Sequence, residues 1–384
     1  MAVYKIFPTQ DATLYSLFPQ MNTGLDPIVE ATTTAFGPTN PYPHTSRFLV
    51  QFSTSEINDI LNNKVEANEW QANLKLFLST VTGLTQETYV VTNPAAKEWV
   101  NGTGQYLDQP ITKDGCSWEW ANYTGSSKWG VTSLPAYATA SYTSSVTPGG
   151  GIWYYTSSND NYPNVKSSQS FSLYDDKDLN FNVTPTVHNW YSESINSGDG
   201  LPNYGFIVRQ TESQEFLYTL EQQVELKYFS IDTNTIYPPV LEIKWDDFTY
   251  STSSTINEIT SSNIQVSLDE NPGVFYSESI NRFRINCRPK YPSRTFATSS
   301  YYSTNYYLPS GSSTWAIKDL YTNEFVVNFD STYTQISADT ESSYFDVHMN
   351  GLQPERWYKI LIQTTIGSTT LVMDDNYTFK IVNG

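Results

Sequence analysis

Short segments of alternating apolar and polar residues recur along this chain. In the clearest of them, Leu179, Phe181 and Val183 alternate with Asn180 and Asn182, which places apolar side chains on one face of a strand and polar ones on the other. The same period predicts strands at residues 3–7, 46–52, 72–78, 206–208, 240–243, 264–268, 283–287, 325–329, 344–347, 358–362 and 377–381. The pattern is typical of an all-β chain with many short strands.

A helical period interrupts the strands early in the chain. Ile57, Ile60 and Leu61 fall on one face of a helix over residues 55–61, with Thr54 or Ser55 as its N-cap. A second capped helical turn is predicted where Asn93-Pro94 precedes two alanines and Trp99.

The strand at residues 179–183 leads directly into another short helix. Thr184 is the expected N-cap, and Pro185 suits the first helical position because its missing N–H has no partner there. Val187, Trp190 and Tyr191 share one helical face, so we expect this helix to lie over an apolar surface.

The chain divides into two predicted domains. Its 384 residues exceed a typical single core. The polar, turn-rich stretch 250–263 lacks aromatic residues after Tyr250, and the alternation resumes beyond it. We predict one domain over residues 1–247, a linker over 248–263 and a second domain over 264–384. Between residues 101 and 170 the pattern thins, which predicts long surface loops.

Composition and charge narrow the classes of partner. A formal net charge of −18 repels nucleic-acid phosphates and anionic lipid surfaces, so we expect no nucleic-acid partner. No run approaches the length of a membrane span, and residues 1–10 lack the apolar core of a signal peptide. We therefore expect synthesis in a cytoplasm, with neither a signal peptide nor a membrane span.

No catalytic signature stands out. Cys116 and Cys287 lie far apart and are expected to be two buried or unreactive thiols rather than a disulfide or metal pair. His44, His188 and His348 lack metal-ligand spacing, and the chain contains no nucleophile elbow, P-loop or dinucleotide motif. We predict a protein that is not an enzyme, with no catalytic or cofactor-binding residues.

The densest acidic run is Asp175, Asp176 and Asp178. Carboxylates are the ligands that Ca²⁺ prefers, so these three residues are the candidates for a calcium site, and Ca²⁺ is the one cofactor considered. In a chain this acidic, an ordinary solvated loop is the competing interpretation. Two carboxylates would also suffice for a glycosidase, but no acid and base pair is singled out.

Aromatic residues in the loop-rich middle are candidates for glycan or partner contact. Exposed rings can stack on sugars, and the candidates are Trp118, Trp120, Trp129, Trp153, Tyr154 and Tyr155. Because 15% of the chain is aromatic, a place in the core is the competing interpretation for most of them.

Basic residues are concentrated on one predicted strand of the second domain. Arg282, Arg284 and Arg288 alternate with apolar residues, and Lys290 and Arg294 follow. This face is a candidate docking surface for an acidic neighbouring subunit. Pairing with nearby Asp and Glu of the same chain is the alternative.

Motifs in residues 1–247 resemble those of DNRLRE-type domains, which are jelly-roll modules related to carbohydrate-binding modules. The run 178–210 resembles the pattern of a strand, a helix ending in Trp, then "NYGF" and a strand. In sequence order, the other matches are Asp11-Ala12-Thr13 with Asn22 and Gly24, residues 46–52, Gly115 with Trp118 and Trp120, and Tyr237-Pro238-Pro239. The resemblance implies a jelly-roll β-sandwich with short capping helices.

Residues 264–384 contain a motif of another kind. Residues 351–358, GLQPERWY, resemble the tyrosine corner of immunoglobulin-like and fibronectin type III domains, in which the Tyr hydroxyl bonds back to the preceding backbone. The resemblance implies an immunoglobulin-like β-sandwich, with Tyr358 as a residue that stabilises the fold.

Both domains together resemble virion structural proteins of contractile-tailed phages of marine bacteria, especially cyanobacteria. The resemblance is carried by "YKIFPTQDATLY", "KYFSIDTNTIYPP", "FYSESINRFR" and "GLQPERWYKILI". It implies a virion component of the neck, tail or baseplate that contacts other virion proteins and forms homo-oligomers. A host-glycan-binding adhesin or carbohydrate-binding module on the particle is the alternative.

Overall fold

The structure is a computed structural model. It describes residues 2–35, 43–65, 69–83, 87–129, 150, 162, 164–215, 224–245, 255–277, 279–291, 305–309 and 311–383. The strands of the first part of the chain are β1 (Ala2–Ile6), β2 (Pro8–Tyr15), β3 (Ile28–Ala35), β4 (Pro43–Phe52), β5 (Trp70–Leu76), β6 (Leu78–Thr82), β7 (Thr88–Pro94), β8 (Trp120–Asn122), β9 (Ser127–Lys128), β10 (Ser167–Phe171), β11 (Leu179–Asn182), β12 (Phe206–Gln210), β13 (Val224–Phe229) and β14 (Val240–Trp245).

The second part of the chain contains strands and one 3-10 turn, Met349–Gly351. Its strands are β15 (Ile264–Leu268), β16 (Val274–Tyr276), β17 (Ile280–Pro289), β18 (Ser313–Asp319), β19 (Phe325–Val327), β20 (Ser337–Ala338), β21 (Ser343–His348), β22 (Trp357–Ile366), β23 (Thr369–Met373) and β24 (Thr378–Val382). The helices of the described residues are α1 (Thr54–Asn63), α2 (Thr184–Ile195) and the single turn α3 (Glu212–Glu215). The predicted all-β fold class is confirmed.

The chain forms two compact units. The larger unit contains Ile6–Lys64 and Gln71–Glu242, and the smaller one contains Met1–Lys5, Val65–Trp70 and Ile243–Gly384. Ile259, within the predicted linker, is buried in the core of the smaller unit. The boundaries given by the sequence, 1–247, 248–263 and 264–384, stay a prediction.

Two sheets organise the larger unit. One has the order β1-β14-β5-β11, of which residues 2–5 of β1 and 243–245 of β14 are assigned to the smaller unit. The other has the order β10-β7-β12-β4-β3-β13-β6, with β2 pairing with β4. The strand β12 lies between β4 and β7, and every one of its side chains is buried, so both of its faces are covered. By contrast, β13 alternates between buried and half-buried positions, so one of its faces is left for solvent.

Two of the predicted helices, α1 and α2, are present, but their caps differ from the prediction. In α1, the Ser53 hydroxyl accepts from the Glu56 backbone N–H at 3.3 Å, so the cap precedes Thr54 and Ser55. Thr184 is already helical, and its hydroxyl accepts from the Ala72 backbone N–H at 2.9 Å. The cap of α2 is Val183, which makes no side-chain capping bond.

The buried faces of these helices agree with the sequence pattern. Ile57, Ile60 and Leu61 of α1 are buried. In α2, Trp190 is buried and its ring lies 4.6 Å from that of Phe206. The helix predicted after Asn93 is wrong, because Asn93 and the residue that follows it continue β7 and pair with β12.

The smaller unit is a sandwich of two sheets. Their orders are β15-β17-β21-β20 and β16-β24-β22-β18-β19, with β23 pairing with β22. Aromatic rings from both sheets meet in the core, where Trp315 of β18 stacks on Phe345 at 4.8 Å and Phe283 stacks on Phe345 at 5.3 Å. Val3 from the start of the chain is buried in this same core.

The predicted tyrosine corner is confirmed. Tyr358 is buried, and its hydroxyl donates to the backbone carbonyl of Gln353 at 3.0 Å. This bond joins the first residues of β22 to the turn before it. Tyr358 is thus a residue of the fold rather than of a site.

Candidate functional site

The predicted glycan-contact tryptophans do not form an exposed platform. Trp118 and Trp129 are 1% and 0% exposed, so a role in sugar stacking is wrong for both. The Arg47 guanidinium lies 5.6 Å from the Trp118 ring centre, and the Trp129 indole N–H donates to the Ser117 carbonyl at 2.7 Å. These rings belong to a core cluster, so the chain around residues 115–121 is not part of a surface loop. Most of residues 101–114 are exposed and lie in no strand or helix, as the thin pattern predicts.

The remaining candidate rings divide into two cases. Trp120 is half-buried, with Tyr123 edge-on at 5.2 Å and the Lys128 ammonium 4.7 Å from the ring centre. Contacts within its own chain therefore occupy part of the Trp120 ring. Trp153, Tyr154 and Tyr155 lie outside the described residues.

The three candidate calcium ligands accept backbone hydrogen bonds. Asp175 accepts from the Ser172 N–H at 2.7 Å, Asp176 from the Asp178 N–H at 3.1 Å, and Asp178 from the Leu78 N–H at 2.7 Å. The backbone bond from Ser172 holds the pKa of Asp175 below its usual value. These bonds shape the turn between β10 and β11 and tie it to β6. In the described parts of the chain, no group of three or more His, Cys, Asp or Glu residues is arranged to hold a metal ion.

Two arginines of the predicted docking face have partners in their own chain. Arg282 makes two bonds of 2.9 Å to Asp346, and its guanidinium lies 4.2 Å from the Tyr344 ring centre. Arg284 contacts Asp339 at 2.9 Å. This is the intrachain pairing that the sequence analysis left open as the alternative.

The rest of that face is exposed or outside the described chain. Arg288 and Lys290 are exposed, and Arg294 is not among the described residues.

Both cysteines are free and buried, as predicted. Burial raises the pKa of the Cys116 thiol far above its usual value and that of Cys287 to about 12. Neither thiol is therefore ionised at neutral pH.

Residues of the opening motif hold the larger unit together. The Asn22 amide donates to the Cys116 carbonyl at 2.8 Å and accepts from the Gly104 N–H at 2.7 Å. The Asp11 carboxylate accepts from the Ile231 N–H at 2.7 Å, across 220 residues of sequence. These motif residues are buried, and their contacts are structural.

A groove of about 420 Å³ lies on the larger unit. We call it the Tyr106 groove, and the residues that define it are Tyr15, Phe18, Glu30, Tyr106, Glu225 and Lys227. Its volume lies within the range of small-molecule sites.

The floor of the Tyr106 groove is the polar face of three neighbouring strands. Glu30 and Thr32 of β3 lie opposite Lys227 and Glu225 of β13, in that order. On the other side of β3, the Thr32 hydroxyl lies 2.7 Å from the hydroxyl of Ser46 in β4. Because side chains two residues apart share a strand face, this alternation puts carboxylate, ammonium and hydroxyl groups side by side.

Aromatic rings form one wall of the groove. Tyr106 comes from the loop after β7 and is 44% exposed. Its ring packs on Tyr15 at 4.9 Å and meets Phe18 edge-on at 6.3 Å. Tyr15 is the last residue of β2, so a sheet strand supports the exposed ring.

The charges of the groove come from one ion-pair network. The Lys227 ammonium lies 3.1 Å from a Glu30 oxygen and 3.9 Å from a Glu225 oxygen. Burial alone would lower the pKa of Lys227, but the Glu30 carboxylate outweighs it and raises the pKa above its usual value. Burial and Glu30 raise the pKa of Tyr106. Lys227 is therefore cationic and Tyr106 uncharged at neutral pH.

The Tyr106 groove was not predicted from the sequence. The alternation of Glu30 with Thr32 and of Glu225 with Lys227 is a signal that each strand has a polar face. No sequence spacing shows that β3 and β13 are neighbours, since almost 200 residues separate them along the chain. Tyr106 lies on a loop, and the path of a loop cannot be predicted from a periodic sequence pattern.

No protein-family model matches this chain. No curated protein matches it either. Among solved structures, the chain is similar to a DUF4785 family protein from Legionella pneumophila, with 7% sequence identity and a TM-score of 0.16, over 99% of this chain and 62% of that chain. This chain thus spans less than two thirds of that protein's length, and a similarity at this TM-score carries no argument about function.

Within the described residues, no helix is both long enough and apolar enough to cross a membrane.

Proposed function

We propose that this chain is a non-enzymatic structural subunit of a phage particle, at the neck, tail or baseplate, where it contacts other virion proteins and further copies of itself. The resemblance of both halves to virion proteins motivates the proposal. The structural observation that supports it most is an apolar sheet edge in the smaller unit.

This edge is β16, and the start of β17, which belongs to the other sheet, follows it in the chain. Among the described strands, β16 ends its sheet and pairs with β24 alone. Val274, Tyr276 and Ile280 are all exposed here, with Tyr276 at 62%. An exposed strand edge with apolar side chains favours pairing with another chain, and a subunit of an assembly would bury it.

Virions purified from the source of this protein provide the test. Mass spectrometry should detect the chain in several copies per particle, and cryo-electron microscopy should show ordered density for it on the neck, tail or baseplate. Absence from purified virions would contradict the proposal.

Substitutions at the edge sharpen this test. We expect Tyr276→Lys combined with Ile280→Lys to prevent incorporation into particles, because the two charges would have to be buried at the contact. Tyr321→Lys is the matched control, since Tyr321 is also strongly exposed in the smaller unit, and we expect normal incorporation. Equal incorporation of both proteins would show that this edge is not the contact.

A second candidate function is the binding of a host glycan by the particle. The Tyr106 groove is the observation that favours it. The tryptophans predicted for this role do not favour it, because they are buried or partly covered wherever the structure describes them.

A further inference from the structure

We infer that the Tyr106 groove binds neutral saccharide units, with the Tyr106 ring as the stacking surface and the polar floor as the hydroxyl-binding surface. This inference rests on the second candidate function, glycan binding, and is independent of whether the chain is a particle subunit.

The Tyr106 ring is exposed and also held in place. Tyr15 packs against it at 4.9 Å and Phe18 meets it edge-on at 6.3 Å. A ring fixed before binding loses little conformational freedom when a ligand stacks on it. The C–H face of a pyranose is an apolar surface of about the size of one aromatic ring, so it fits such a platform.

Hydroxyl-binding groups lie beside the ring on the floor. Lys227 and Glu225 retain exposed side-chain surface, at 33% and 39%. An ammonium has three donors and a carboxylate accepts at both oxygens. Together they match adjacent sugar hydroxyls, each of which donates one hydrogen bond and accepts others.

The backbone of the floor cannot bind an extended peptide. On its path through the sheet, β3 lies between β4 and β13, and β13 lies between β3 and β6. A peptide that adds to a sheet needs an unpaired strand edge, and these strands are interior to the sheet. Recognition in this groove must therefore use side chains.

The charge of the groove argues against an ionic ligand. Glu30 and Glu225 repel an anion. Lys227, the ammonium that contacts both of them, carries one positive charge against their two negative charges. A cation held against Tyr106 would meet Lys227, whose positive charge already acts on that tyrosine. A neutral ligand with many hydroxyl groups avoids both conflicts.

Binding should be measured on the full chain with defined probes. Maltohexaose, cellohexaose, laminarihexaose and mannohexaose represent neutral saccharides, and oligogalacturonate represents an acidic one. Saturation-transfer NMR detects contact, and titration calorimetry gives the affinity. We expect at least one neutral probe to bind, and to bind more tightly than oligogalacturonate.

Variants then locate the site. Tyr106→Ala should weaken binding about tenfold or more through the loss of stacking, whereas Tyr106→Phe should keep it. Glu225→Ala should also weaken binding, which gives a readout independent of the ring. Tyr174→Ala is the matched control, because Tyr174 is a 93% exposed tyrosine of the larger unit outside the groove, and its binding should equal that of the unmodified chain.

Three results would overturn the inference: no neutral probe binds, oligogalacturonate binds more tightly, or Tyr106→Ala binds as the unmodified chain does. Incorporation of Tyr106→Ala into particles is measured separately. Normal incorporation together with lost saccharide binding would separate the two roles, and failure of saccharide binding alone would leave the subunit proposal standing.

Discussion

Arg47 and Glu215 form a two-bond ion pair inside the larger unit, although 168 residues separate them in sequence. Arg47 Nε lies 2.9 Å from Glu215 Oε1, and Arg47 Nη2 lies 2.7 Å from Glu215 Oε2. Both side chains are buried. A second buried arginine, Arg209, lies 3.9 Å from the same carboxylate, so Glu215 contacts two buried positive charges.

Removal of that negative charge should destabilise the larger unit. Glu215→Gln keeps the size of the side chain but removes the negative charge that pairs with Arg47, and we expect the free energy of unfolding to fall by about 3 kcal/mol or more. Urea denaturation followed by tryptophan fluorescence measures it. The control is Glu98→Gln, at an exposed position of the same unit, where a change within about 0.5 kcal/mol is expected. Equal effects would contradict the importance of the pair.

The tyrosine corner gives a second prediction. Tyr358→Phe removes only the hydroxyl that donates to Gln353, so the smaller unit should lose about 1 kcal/mol of unfolding free energy. Thermal or urea unfolding detects this difference. Tyr321→Phe removes the same hydroxyl from a strongly exposed ring and should have little effect. A loss in Tyr358→Phe no larger than this control would show that the bond contributes nothing.

Asp11 predicts a pH dependence of stability. Burial raises its pKa from 3.8 to about 8, despite the bond from the Ile231 N–H. Between these two values the folded state holds a proton that the unfolded state releases. The contribution of Asp11 to the free energy of unfolding is therefore largest below about pH 4, falls as the pH rises, and levels off above about pH 8.

Asp11→Asn should remove this contribution while it keeps an oxygen for Ile231. Urea denaturation of both proteins at several pH values between 4 and 9 is the measurement. We expect the variant to gain stability relative to the unmodified chain as the pH rises through this window. A constant difference at all pH values would show that Asp11 titrates normally in the folded state.

The start of the chain contributes to the core of the smaller unit. Val3 is buried there, and a Cβ added at Gly351 would lie 2.5 Å from the Val3 carbonyl oxygen. Val3→Ala should lower the unfolding free energy of this unit by about 2 kcal/mol. Val372→Ala, at an exposed position of the same unit, should change it by less than about 0.5 kcal/mol. Equal values would place Val3 outside the core in solution.

Local patterns predicted the strands and helices because each depends on neighbouring residues. The alternation around Phe181 gave β11, and the spacing of Ile57 and Ile60 gave α1. The predicted cap of α2 was wrong by one residue, because the Thr184 hydroxyl accepts from Ala72 of β5, a partner that no local pattern reveals. The helix predicted after Asn93 was wrong for a similar reason, because Asn93 belongs to β7 and pairs with β12, which is distant in sequence.

Site residues were harder to predict than elements. Trp118 and Arg47 are far apart in sequence but adjacent in space, so no local pattern decides between the surface and the core for this tryptophan. The Tyr106 groove combines the faces of three strands and a loop that only the sheet order brings together. The tyrosine corner was predictable because its donor and acceptor are five residues apart.

The smaller unit is built from an early and a late segment of the chain, which affects when it can fold during protein synthesis. Val3 is synthesised well before the strands that enclose it, since this unit contains both Met1–Lys5 and Ile243–Gly384. Domains generally fold as they emerge, so the larger unit can finish while the residues at the beginning of the chain still wait for their core. Synthesis of the later segment, rather than that of Val3, would then start the folding of the smaller unit.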